Sequence, residues 1–81
     1  MEKLTLAERL KAARKFRGWT QTELARRADL HNVQLSKLER GTTKEMSTAT
    51  LKALCVALGI GPRYFLGMTD DMESDLLPIA A

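Results

Sequence analysis

Eighty-one residues, 44% of them apolar and 28% charged, make one small domain with a thin margin of buried surface. No run of about 18 apolar residues is present to span a membrane, the start Met1-Glu2-Lys3-Leu4-Thr5 lacks a signal peptide's apolar core, and a lone cysteine excludes an internal disulfide and fits a reducing cytoplasm. The net charge of +3 hides a division: residues 1–67 set thirteen Lys and Arg against six acids, a balance of +7 that favours a polyanionic partner, whereas residues 68–81 carry four acids and no base.

The first helix starts at a capping box, Thr5-Leu6-Ala7-Glu8. Leu6, Leu10 and Ala13 recur at helical spacing as its buried stripe, and Arg14, Lys15 and Arg17 suit the negative end of its dipole before Gly18 ends it. Trp19 then reads as a seal between the first two helices rather than as an indole that stacks on a base. Thr20 and Glu23 predict a second capping box, followed by a small apolar face of Leu24, Ala25 and Ala28. Ala28-Asp29-Leu30 is a turn, and a third helix begins near His31 or Asn32 and stops at Gly41.

A wheel of this third helix, at about 100° per residue, turns Leu35 and Leu38 inward and Asn32, Val33, Ser36, Lys37 and Arg40 outward. One side is core. The other offers an amide, a methyl pair, a hydroxyl and two cations, the chemistry of a helix that lies in a DNA major groove.

A polar loop, Thr42-Thr43-Lys44-Glu45, leads to a fourth helix capped by Ser47 or Thr48, with Leu51, Leu54, Cys55 and Leu58 at i, i+3, i+4 and i+7 and Gly59 at its close. Gly61-Pro62 opens a short fifth helix carrying Tyr64, Phe65 and Leu66. No alternating β-branched run reaches four residues, so the expected fold is all-α. The expected organisation is a helical domain over residues 1–67 and a loose acidic tail over 68–81, in which Met72, Leu76 and Leu77 can form one amphipathic turn if something receives it.

These motifs stand in register over some sixty residues: L-x-x-x-R ending at Arg14, W-T-Q-T-E-L-A from Trp19, L-S-K-L-E-R-G from Leu35, and L-x-x-L-C-x-A-L-G-I from Leu51. Together they resemble the lambda-repressor and Cro-like (XRE) helix-turn-helix family across about residues 4–67. The resemblance implies a five-helix lambda-repressor-like domain that binds double-stranded operator DNA, usually as a homodimer on a palindrome. By the same resemblance, Gln21 contacts a phosphate at the start of the second helix, where free amides suit an anion. Arg14 and Glu39 match a pair that bridges the first and third helices. Asn32, Val33 and Lys37 match base-reading positions, able to meet adenine, a thymine methyl and guanine respectively; Ser36 is placed with them. Arg40, Thr42, Thr43 and Lys44 match the stretch that grips the sugar-phosphate backbone. Three positions depart from the pattern: Asp29 replaces a usual glycine but tolerates a left-handed turn, His31 replaces a Ser or Thr cap, and Trp19 replaces a leucine.

Other residues have plainer readings. Arg26 and Arg27 are read as serving solubility rather than reaching toward phosphate, His31 as surface rather than a DNA contact or a pH switch, and Cys55 as a buried hydrophobe rather than a reactive thiol. Ile60, Tyr64 and Phe65 stand between two readings, monomer core and dimer seam. One His, one Cys, no metal-ligand cluster and no phosphate-binding glycine loop argue against an enzyme, and no cofactor is implied. The sequence reading is therefore a cytoplasmic transcriptional regulator, a repressor, with no separate ligand-sensing domain in so short a chain. The alternative is a family member of antitoxin type, whose acidic tail with Leu76-Leu77 is the handle for a protein partner and whose DNA binding is autoregulatory.

Overall fold

The computed structural model describes residues 4–42 and 46–78. Among them the chain forms α1 (Leu6–Arg17), α2 (Gln21–Ala28), α3 (Asn32–Arg40), α4 (Thr48–Leu58) and α5 (Pro62–Phe65), followed by a 3-10 turn, Met72–Asp75. No strand occurs among the described residues, only an isolated antiparallel bridge between Ile60 and Leu76. This is the five-helix lambda-repressor-like architecture.

The helix starts follow their caps. Thr5 and Glu8 form the reciprocal box, the Glu8 amide donating to Thr5 Oγ1 at 3.1 Å and the Thr5 amide to Glu8 Oε1 at 2.8 Å, which holds the Glu8 carboxyl below its ordinary range. Ser47, not Thr48, caps α4. Thr20 caps α2, its hydroxyl accepting from the Glu23 amide at 3.1 Å, but the expected second half of that box is absent. The Glu23 carboxylate turns instead to Arg26 and Arg27, one turn on, because two cations at i+3 and i+4 outcompete a single amide. Their hydrogen bonds, Arg26 first, lower the Glu23 pKa. Between α2 and α3, Asp29 takes the left-handed conformation (φ 56°) that the turn requires, and the Leu30 amide reaches back to the Ala25 carbonyl at 2.8 Å.

The core joins Leu10 and Ala13 of α1, Leu24, Ala25 and Ala28 of α2, Leu35 and Leu38 of α3, and Leu54, Cys55 and Leu58 of α4. Trp19 packs half-buried against it, its ring covered by the Arg27 guanidinium at 4.3 Å. Ile60, Tyr64 and Phe65 are 0%, 2% and 3% exposed, so the seam reading fails for them: side chains already enclosed in the monomer offer no surface to a second chain. Burial also pushes the Cys55 thiol up to about 11, with the Asp75 charge adding to the shift, so it is a thiol and not a thiolate at neutral pH.

The acidic segment, expected to be loose, lies against the body through residue 77. The anchor is Arg9, which is 1% exposed. Its guanidinium donates to the carbonyls of Leu4 (3.3 Å), Tyr64 (3.1 Å) and Thr69 (3.0 Å), pairs with Asp70, and sits over the Tyr64 ring at 5.0 Å. Further along, the Gly61 amide donates to the Asp75 carbonyl at 2.6 Å, the Tyr64 amide to the Asp75 carboxylate at 3.1 Å, and the Leu77 amide to the Gly59 carbonyl at 2.7 Å. A cation buried in α1 cannot remain without acceptors, and this strap supplies two of them. Gly61 is part of the fit: a Cβ there would lie 2.5 Å from Asp75 Oδ1. Gly61→Ala is accordingly expected to lower stability by about 1–3 kcal/mol, read as a lower urea midpoint, and an unchanged midpoint would show that Asp75 swings aside freely.

Candidate nucleic-acid interface

α3 carries the candidate reading face. Its inner side buries Leu35, Leu38 and Glu39, while Asn32, Val33, Gln34, Lys37 and Arg40 are exposed and Ser36 is half-buried. Val33 is 65% exposed, an apolar side chain standing free on a helix whose other large apolar residues are buried. His31 precedes the helix and makes no side-chain cap, so the first-turn amides of α3 are left without that partner. No acid occupies the first turn, and Lys37 and Arg40 occupy the last, where cations are stabilised by the helix dipole.

The helix is held from behind by a charged cluster. Arg14 of α1 forks onto Glu39, Nε to Oε2 at 2.7 Å and Nη2 to Oε1 at 3.0 Å, and its Nη1 donates to the Trp19 carbonyl at 2.8 Å. Gln21, the first residue of α2, adds a hydrogen bond from Nε2 to Glu39 Oε1 at 3.3 Å. The Glu39 side chain is 1% exposed, so this set of donors is what makes a carboxylate tolerable there. Its geometric effect is to tie α1, the α1–α2 loop and α2 to one point on α3, fixing how far α3 can roll and which side chains it presents.

The structure thus gathers Asn32, Val33, Ser36, Lys37 and Arg40 on one helix and links Gln21 to that helix through Glu39. Thr42 lies just beyond the left-handed Gly41; its amide and its hydroxyl both donate to the Lys37 carbonyl, at 3.2 and 3.1 Å. The hydroxyl therefore closes the end of α3 and is not free to donate to a phosphate unless that bond opens. Thr43 and Lys44 lie outside the described residues. The engagement of Gln21 with Glu39 was missed in the sequence, where the resemblance gives Gln21 a phosphate contact alone.

Among the described residues no group of His, Cys, Asp or Glu is placed to hold a metal ion, and no helix is long and apolar enough to cross a membrane.

Comparison with known proteins agrees with this geometry. A helix-turn-helix family model matches residues 10–65. The chain is similar to the immunity repressor protein of Bacillus phage phi105, 42% identical over 64 residues that cover 79% of this chain and 44% of the repressor. It thus spans less than half the length of that relative. Among solved structures it is similar to SinR, the master regulator for biofilm formation of Bacillus subtilis, in complex with DNA (27% identity, 76% of this chain and 98% of that one, TM-score 0.75). It is also similar to the DNA-binding domain of the P22 c2 repressor (35% identity, 82% and 86% covered, TM-score 0.74).

Proposed function

Because this chain belongs to the helix-turn-helix family of the lambda-repressor and Cro (XRE) type, we propose that it is a transcriptional repressor that binds a palindromic operator as a homodimer, with α3 in the major groove. The observation that carries this reading is the outward face of α3, an exposed Asn32, Val33, Lys37 and Arg40 on a helix braced from behind at Glu39. Asn32 pairs with adenine, the Val33 methyls meet a thymine methyl, and Lys37 donates to guanine, while Arg40 and the start of α2 at Gln21 meet phosphates. Gln21 keeps one N–H of its amide on Glu39 and offers the other to a phosphate, so phosphate binding and the placement of α3 are coupled.

The test is selection of a random duplex library by the purified protein at moderate salt. An enriched palindrome with half-sites about 10 base pairs apart is the expected result. Binding to every duplex alike, weakening steeply with salt, would reduce the face to a non-specific basic surface.

Two substitutions separate the roles. Lys37→Ala is expected to lose about 1–3 kcal/mol at one base pair and to relax preference there alone, measured by titration against operator variants; a loss equal on all sequences would make Lys37 a phosphate contact. Gln21→Ala is expected to weaken every duplex alike, and a changed base preference would contradict its phosphate role.

A further inference from the structure

The strap and the body meet unequally. On the body side the groups are enclosed: Arg9, Ile60 and Tyr64 are 1%, 0% and 2% exposed, and Gly61 is buried. On the strap side none of residues 69–78 is buried; Thr69, Met72 and Asp75 are half-buried and the others exposed. The contacts between them are mostly polar and directional. Arg9 donates to the Thr69 carbonyl and to Asp70, the Gly61 amide to the Asp75 carbonyl, the Tyr64 amide to the Asp75 carboxylate, and the Leu77 amide to the Gly59 carbonyl. Met72 adds a side chain packed against the core. This is how a protein holds a bound peptide: an extended segment adds main-chain hydrogen bonds to a short backbone edge, and alternate side chains find flanking sites.

We infer that Arg9 and the Gly59–Gly61 edge form a recognition site for an acidic, extended segment of another protein, and that residues 69–78 occupy this site in cis. The inference stands apart from the operator reading, since none of the receiving residues lies on α3.

The strap itself shows the chemistry that the site takes. One acid, at Asp70, meets the guanidinium; an apolar residue follows two positions on, at Met72; a second acid stands five positions after the first, at Asp75. Gly61 admits that second acid, because a Cβ there would lie 2.5 Å from Asp75 Oδ1. A basic segment is excluded, since an arginine keeps its charge at any working pH. A second copy of the chain is the poorer occupant. Its strap makes these bonds at home, so two copies that trade straps gain no contact that each lacks. A foreign segment does gain them, and the strap that it displaces gives up no enclosed side chain.

The experiment titrates a fluorescein-labelled synthetic peptide of residues 69–78 with full-length chain and follows anisotropy. Asp70→Ala with Asp75→Ala, checked for helical content by circular dichroism, opens the cis strap and is expected to bind the peptide saturably. The wild type should bind it at least tenfold more weakly, because its own strap competes at an effective concentration on the order of millimolar. A peptide with lysine at both aspartate positions is expected not to bind. Amide hydrogen exchange on the wild type is a second measurement that needs no variant: the Gly61 and Leu77 amides should exchange at least tenfold faster than those of Leu54 and Leu58, since the strap opens without the core. A folded double variant that ignores the peptide, or that binds the lysine peptide as well, would overturn the inference. So would Gly61 and Leu77 amides that exchange only as fast as the core, because the strap would then be a fixed part of the fold.

Discussion

Glu39→Ala is expected to destabilise the protein by about 3–5 kcal/mol, the largest effect of any single change around α3. The reason is asymmetric. Glu39 is a carboxylate with its side chain 1% exposed, and Arg14, 14% exposed, has two of its nitrogens committed to it. Removing the acid leaves a guanidinium that cannot deprotonate facing an apolar interior, and it removes the acceptor of Gln21 as well. In a chain of this size such a loss is a large share of the total stability, so urea unfolding reads it directly. Replacing Arg14 and Glu39 together by methionines should destabilise far less than either truncation alone, since no unpaired charge is left. If Glu39→Ala moved the urea midpoint no more than a surface substitution, the brace would be decoration, and α3 would owe its position to Leu35 and Leu38 alone.

Arg9→Ala is the second large effect, on the order of 3 kcal/mol. The substitution empties the space of a side chain that is 1% exposed and strips acceptor duty from the Tyr64 and Thr69 carbonyls. Asp70→Asn should shift stability by no more than about 1 kcal/mol, because Asp70 is 74% exposed and solvent screens its share of the pair. The comparison is informative through its inequality. Equal losses would mean that the ion pair itself fastens the strap, whereas a loss confined to Arg9 locates the fastening in the carbonyl contacts and in the packing over Tyr64.

Much of this architecture is legible in the sequence because helix caps and apolar spacing are local. Thr5, Thr20, Gly41, Ser47 and Gly59 mark boundaries that the structure keeps, and the wheel of α3 divides as its spacing dictates. Local signals mislead where two of them compete, as at Glu23. They are silent where the partner is remote. Three of the four hydrogen-bond partners of Arg9 lie 55 to 61 positions away, so its neighbours say little of its burial. One clue was present: Leu6, Arg9, Leu10 and Ala13 fall at i, i+3, i+4 and i+7, which puts the arginine on the apolar stripe. A cation on that stripe needs acceptors from elsewhere in the chain, and an acidic C-terminal segment without bases was the one stretch with acceptors in excess. Composition read that segment as solvated; the buried cation determines where part of it lies. For the α3 face, chemistry at each position was legible, and the engagement of Gln21 and Thr42 by their neighbours was not, because both depend on the packing of helix ends.

The chain has one tryptophan and one tyrosine, and each stands at a different polar fastening. Trp19 lies under Arg27 with its carbonyl on Arg14, at the seam of α1 and α2. Tyr64 lies under Arg9, with its amide on Asp75 of the strap. The protein therefore carries two intrinsic optical reporters: indole emission for the junction of α1 and α2, and phenol absorbance for the C-terminal side. Coincident melting of the two signals would mark a single cooperative unit. A phenol transition that comes first would time the release of the strap separately, in the unlabelled wild-type chain.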